Sequence, residues 1–232
     1  RRKAIQASRG ELLAFLDADD IWHERKLALQ VPLFDNPEVV CACSSYWLCK
    51  ETSSSNVQRS AFRAYKTRVL SRHQVIADYR VGFSTLITRG NLARRQMDNY
   101  CGSYRYVEDL ALVDLLLQFG HMAASPERLV DYKIHSENAS RNLSELLDER
   151  EVWLESHRAD QSDPEMEMAL GRFADVTASL YARLYATNGD RAASSAWLAK
   201  IGSLRMQART RALILAGSVG LRRARLDFAS SS

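Results

Sequence analysis

Residues 12–16 read Leu-Leu-Ala-Phe-Leu, and residues 17–20 read Asp-Ala-Asp-Asp. No other stretch constrains the chain as much. Five consecutive apolar residues fit a short buried strand. Asp17, Asp19 and Asp20 then crowd together where that strand ends, and like charges this close repel. Such a turn must meet a cation or a set of donor groups. A carboxylate pair at the carboxyl end of a parallel strand also lies where α/β sheets bind ligands.

The surrounding pattern supports such a sheet. Residues 1–8 read as the end of a helix closed by Gly10. Residues 11–16 are a strand, 17–20 a turn, and Asp20 fits a cap for the helix expected over 23–34, which Pro32 shortens. Residues 38–48, "EVVCACSSYWL", are β-rich,. The polar run 51–60 predicts a loop, and 81–90 a short strand or turn closed by Gly90. Residues 107–120 predict a helix that begins at Glu108-Asp109 and stops at Gly120; 127–135 predict a strand. Strands alternating with helices predict an α/β layer structure. After Asn142 only helical patterns remain, with a stop at Asn188-Gly189 and a new cap at Asp190. The expected division is therefore 1–142 and a helical region 143–232. A chain that opens inside a helix just before a core strand predicts an amino-terminally truncated fragment.

Charge is unevenly spread. The net charge is +4, but from Lys200 to Ser232 seven basic residues face one acid, Asp227. The basic excess belongs to that tail and not to the carboxylate turn, so no nucleic-acid partner is expected. The stretch "RTRALILAGSVGLRRARL" suits peripheral contact with an anionic membrane surface. No run approaches the roughly 20 apolar residues that span a bilayer. The four cysteines, at 41, 43, 49 and 101, form no C-x-x-C pair, which predicts reduced thiols and a cytoplasmic protein, peripheral at the inner face of the plasma membrane at most.

Three readings of the Asp17–Asp20 turn compete. One aspartate could cap a helix while the others are solvated. A phosphatase of the haloacid dehalogenase type also places D-x-D after a strand, but follows it with a small turn residue. The third reading is a divalent cation bridging to a phosphate-bearing substrate, which suits Mg²⁺ or Mn²⁺ held by one or two carboxylates. An EF-hand is excluded, because Ile21 stands where an oxygen ligand is required and Trp22 where the turn glycine belongs.

The stretch "ASRGELLAFLDADDIWHERKLALQ" (7–30) resembles the family 2 glycosyltransferases of the GT-A fold, with R-G-E, an apolar strand, D-x-D-D, a Trp and K-L-x-x-Q in order. "FSTLITRG" (83–90), "YVEDLALVDLLLQFG" (106–120) and "LVDYKIHSENASRN" (129–142) are similar to later blocks of that family. The resemblance covers about residues 1–142. It implies a partial GT-A, Rossmann-like nucleotide-diphospho-sugar transferase domain followed by an α-helical appendage. It further implies an inverting, metal-dependent transferase whose donor is a nucleotide-sugar and whose acceptor is a glycan or lipid-linked hydroxyl in surface polysaccharide or glycoconjugate synthesis.

Residue by residue, the resemblance implies that Asp17 and Asp19 bind the donor and that Asp19 holds Mg²⁺ or Mn²⁺. His135 would approach the metal or diphosphate from the other side. Asp109 would be the general base on the acceptor hydroxyl, with Glu108 beside it. Trp22 and Lys26 are expected to be packing and surface residues. Arg2 stands where the family usually has Asn. The alternative is a non-catalytic fragment or binding module whose helical tail mediates assembly or membrane contact.

Overall fold

The computed structural model describes residues 2–51, 57–65, 69–97, 104–134, 142–158 and 163–218. The chain divides into two compact units, 1–75 with 79–141, and 76–78 with 142–232.

The first unit is built on one mixed sheet. Helix α1 (Arg2–Ala7) leads to β1 (Leu12–Ala14), β2 (Ile21–Trp22) and α2 (Lys26–Gln30), which runs into a 3₁₀ turn, Val31–Asp35. Then come β3 (Val39–Glu51), β4 (Val57–Phe62), β5 (Val69–Leu70) and α3 (Arg72–Ala77). A 3₁₀ turn at Phe83–Thr85 precedes β6 (Ile87–Arg89), α4 (Gly90–Gln96), α5 (Glu108–Leu117) and β7 (His121–Ile134). The strand order is β1-β6-β3-β7-β2, with β4 paired to β3 and β5 to β7. Strands β3 and β7 are parallel, while β1 and β3 each run antiparallel to β6 between them.

Alternation along β3 sorts its side chains. Cys41 and Cys43 join the main core with Leu112, Val113, Leu116 and Met122. Ala42 faces the other way, with Phe34, Ile87 and Ala123,. The register between β3 and β7 shifts between Ser44↔Ser125 and Ser45↔Arg128. Pro126 falls within that irregularity, where a strand tolerates a residue without an N–H. The three described cysteines, Cys41, Cys43 and Cys49, are free thiols. Cys101 lies outside the described residues.

Five local expectations change. The strand expected over 11–16 is only Leu12–Ala14; it pairs antiparallel with β6 at the sheet edge, so Leu12 and Leu13 are half-buried and Leu16 is exposed. Residues 57–62 are a strand, not loop. Most of their side chains are exposed, so a polar composition hid a strand that pairs with β3. Strand β7 starts at His121, earlier than expected. The turn at 17–20 leads into β2 and not into a helix. Gly90 opens α4 instead of closing a strand. Its N–H donates to Glu11 O at 2.7 Å, and a Cβ there would lie 2.3 Å from Gly10 O. The glycine is required by this close approach of two backbones.

The second unit is helical: α6 (Leu143–Arg158), α7 (Pro164–Thr187), α8 (Arg191–Ala199) and α9 (Leu204–Ser218). Asp163 caps α7 by accepting the Glu165 N–H, and Asp190 caps α8 by accepting the Ala193 N–H,. Gly189 takes φ +84° between α7 and α8, the left-handed conformation that glycine favours. Leu147, Leu180 and Tyr181 form a core, and Trp197 stacks on Tyr181 at 4.0 Å.

Candidate functional site

The sheet order places β1 at one edge and β2 at the other. The chain between Ala14 and Ile21 therefore crosses the whole path, four inter-strand steps of about 4.8 Å each. Seven residue steps reach at most about 25 Å, so this stretch is a strap with little slack. It leaves β1 beside Ile87, at the level of Ala42 in β3, and reaches β2 beside Asp131, at the level of Trp47, so it crosses the middle of β3 and β7 past the amino-terminal end of β6.

The strap is fixed from below. Phe15 N–H donates to Leu86 O at 3.2 Å, and Asp17 N–H donates to Ser84 Oγ at 3.0 Å. Asp20 N–H donates to Asp17 O at 3.1 Å, closing the turn. Beyond it, Trp22 Nε1 donates to Ser84 O at 2.8 Å. Lys26 Nζ and Gln30 Nε2 both donate to Thr85 O, at 3.0 and 3.1 Å, and Lys26 Nζ also donates to Gln30 Oε1. The expected motifs at 12–30 and 83–90 are thus one hydrogen-bonded assembly. Lys26 is fully buried and not a surface residue. Burial lowers its ammonium to about 7, with the nearby Cys43 thiol acting the other way,.

The three aspartates of the turn have different surroundings. Asp19 is exposed and Asp17 half-buried. Asp20 is buried and does not cap α2, whose first turn has no side-chain cap. Its Oδ1 accepts the Lys133 N–H of β7 at 3.0 Å. Its Oδ2 has no partner of good hydrogen-bond geometry, although the Ser84 hydroxyl is near enough to favour the charged form. Burial outweighs that and raises the carboxyl to about 6; Asp19 and Asp17 push the same way,.

Glu108 and Asp109 form the first turn of α5 and are both half-buried. Asp109 Oδ1 accepts the Leu110 N–H at 2.7 Å. Two tyrosines report on its position. The Tyr79 phenol is pushed well up by burial and then by Asp109. The Tyr46 phenol is pushed up by burial, then by Tyr132, Asp109 and Asp20. Carboxylates of both acidic motifs therefore lie within electrostatic reach of one hydroxyl. Tyr46 stacks on Phe62 at 4.5 Å and lines a small cleft with Gly82, Ser84, Thr85, Val130 and Tyr132. Sequence reasoning missed Tyr46, since a tyrosine in a β-rich run carries no signal beyond strand preference.

His135 lies outside the described residues. Among the described residues, no group of three or more His, Cys, Asp or Glu side chains gathers to hold a metal. The turn offers two accessible carboxylates, Asp17 and Asp19. That set fits a hard cation completed by water and phosphate oxygens, not a self-contained protein cage.

Residues 1–95 match the family model described as Glycosyl transferase family 2. The chain carries a family 2 glycosyltransferase segment. None of the curated proteins matches it. Among solved structures, the chain is similar to S. aureus TarS 1-349 in complex with UDP-GlcNAc, at 14% identity and a TM-score of 0.54, over 94% of this chain and 66% of that one. It is equally similar to S. aureus TarS 1-349 without that ligand, at 14% identity, TM-score 0.53, and coverage of 94% and 65%. The chain thus spans just under two thirds of the solved chains it matches. What it shares with them is the fold, a mixed α/β GT-A-like sheet followed by carboxyl-terminal helices.

Proposed function

We propose that this chain is the donor- and acceptor-binding part of an inverting family 2 glycosyltransferase, which moves a sugar from a nucleoside-diphosphate donor to a hydroxyl of a glycan or lipid-linked acceptor. The observation that supports the reading is the carboxylate strap, which lies within the segment that matches the family 2 model and is seated by Asp17 on Ser84 and by Asp20 on Lys133. In this reading Asp17 and Asp19 face the donor diphosphate, and Asp19 with His135 would hold Mg²⁺ or Mn²⁺. Such an ion, when bound, would stabilise the charge of the leaving diphosphate. Asp109 accepts the proton of the attacking hydroxyl, whose oxygen forms the new glycosidic bond from the far side of the sugar and inverts the anomeric centre. Glu108 shapes the acceptor side. A uridine diphosphate sugar is the first donor to test, because the fold relative TarS was solved with UDP-GlcNAc.

The test is release of UDP from UDP-GlcNAc with Mn²⁺ and a panel of glycan and lipid-linked acceptors, by the parent chain and by Asp109→Asn. Acceptor-dependent release that Asp109→Asn abolishes supports the reading. Saturable glycan binding without release at any acceptor would favour a binding module.

A membrane-facing role for α9 has its own observation. The helix exposes Leu204, Leu213 and Leu215, carries Arg205, Arg209 and Arg211, and contains no acid. No described helix is long and apolar enough to cross a membrane, so contact would be peripheral. Co-sedimentation with anionic liposomes should fall when these three arginines become Gln; unchanged sedimentation would remove the role. Arg222, Arg223 and Arg225 lie outside the described residues.

A further inference from the structure

Three consecutive carbonyls of the chain leading into β6 are occupied by donors from residues 15–30. Ser84 O accepts from Trp22 Nε1, Thr85 O from both Lys26 Nζ and Gln30 Nε2, and Leu86 O from the Phe15 N–H. The same turn is braced internally: Thr85 N–H and Thr85 Oγ1 both donate to Gly82 O, at 2.9 and 2.6 Å. Its one outward hydroxyl, Ser84 Oγ, accepts the Asp17 N–H. The turn at 82–86 is therefore the seat on which the carboxylate strap rests.

Lys26 is the costly member of this assembly. Its side chain is fully buried; the amino group meets Thr85 O, Gln30 Oε1 and the Trp22 ring at 5.0 Å, with the Cys43 thiol nearby. None of these is a carboxylate. A buried amino group without a counter-ion costs free energy, either by keeping its charge or by giving up its proton, whereas a methionine of similar length would fill the space at little cost. Packing alone therefore does not account for a lysine here. What the amino group adds, charged or neutral, is a fixed N–H donor to a backbone carbonyl that also receives Gln30.

We propose that Lys26 is a positioning residue: by holding Thr85 O together with Gln30, it fixes the 82–86 turn so that Ser84 presents its hydroxyl to Asp17 and its carbonyl to Trp22, which sets the aim of the carboxylate strap. This rests on the reading of the strap as donor-side machinery, and it assigns to Lys26 no contact with substrate.

The experiment is amide and indole hydrogen exchange followed by NMR on the full chain, comparing the parent with Lys26→Met, Lys26→Gln and Gln30→Met. In Lys26→Met, exchange at the Asp17 amide and at Trp22 Nε1–H should quicken at least tenfold, while the amides of Cys41 and Cys43 in β3 keep their parent rates. Lys26→Gln, which retains an N–H donor, should recover part of the protection. Parent rates at Asp17 and Trp22 would overturn the proposal, and so would an equal acceleration at Cys41 and Cys43, which marks general loosening. If Lys26→Met does not fold, Gln30→Met is read by the same two criteria. Titration with UDP and Mn²⁺ separates the two levels. A tenfold weaker Kd in Lys26→Met supports the positioning role. If Asp19→Asn and Lys26→Met both bind UDP as the parent does, the donor-side reading falls, while exchange at Asp17 and Trp22 still decides whether Lys26 holds the turn.

Discussion

Asp20 Oδ1 accepts the backbone N–H of Lys133 at 3.0 Å, so the last carboxylate of the strap is stitched to β7 instead of starting a helix. Its carboxyl is raised to about 6, chiefly by burial. A raised folded-state pKa means that the protonated form suits the fold, so the stability contributed below pH 4 is lost as pH rises through 6. Asp20→Asn keeps the acceptor for Lys133 and removes the charge. At pH 7.5 it is expected to stabilise the protein, by up to about 3 kcal/mol at 1.36 kcal/mol per unit. The difference should vanish near pH 3.5 in urea unfolding series.

Lys26 predicts a slope of the opposite sign. Burial lowers its pKa from 10.5 to about 7. Between these values the unfolded chain binds a proton that the folded one does not, so stability rises with pH. From pH 7 to 9 the parent should gain up to about 1.4 kcal/mol per unit from this group. Lys26→Met should lack that gain. Denaturant midpoints measured at pH 6, 7, 8 and 9 for both proteins decide it.

Asp19 and Asp109 should divide binding from chemistry. Asp19→Asn is expected to weaken Mn²⁺-dependent donor binding, because a hard cation loses a charged oxygen. Asp109→Asn should bind donor nearly as the parent does and turn over roughly 10²–10⁴-fold more slowly, the usual scale for a positioned general base. Donor affinity with and without Mn²⁺, followed by initial rates, checks both. A dead Glu108→Gln beside a fully active Asp109→Asn would move the base by one residue.

Gly90→Ala should destabilise the first unit. The added methyl would meet Gly10 O at 2.3 Å and Arg94 Nη1 at 2.9 Å; the arginine can move, the backbone cannot. A loss of about 1–3 kcal/mol is expected, together with faster exchange of the Gly90 amide that donates to Glu11 O. Thermal and urea unfolding measure the first, hydrogen exchange the second.

Much of this was readable in the residues. The helix starting at Glu108 and the change to helices after Asn142 are periodic or capped features, and both are present; the strand before the carboxylates is present too, but shorter than expected and half-buried at the sheet edge. What was not readable is relational. Lys26 looked like a surface lysine because its burial depends on Thr85, 59 positions away. Asp20 looked like a cap because nothing local announces a two-residue strand at Ile21–Trp22, which exists only by pairing with Val130 and Asp131. Tyr46 drew no notice because its neighbours Asp20 and Asp109 come from distant motifs. Strand β4 was hidden by polar side chains that face solvent.

The strap between β1 and β2 behaves as a bridge deck anchored on two banks, and its length is set by the width of the sheet beneath it. Ordinary surface loops absorb an added residue by bulging outward. Here an extra residue between Ala14 and Ile21 must either unseat Asp17 from Ser84 or shift Trp22 away from Val130. The segment is therefore expected to tolerate changes of residue far better than changes of length. Conversely, any alteration that twists or widens the strands below would be felt at the carboxylates without touching them.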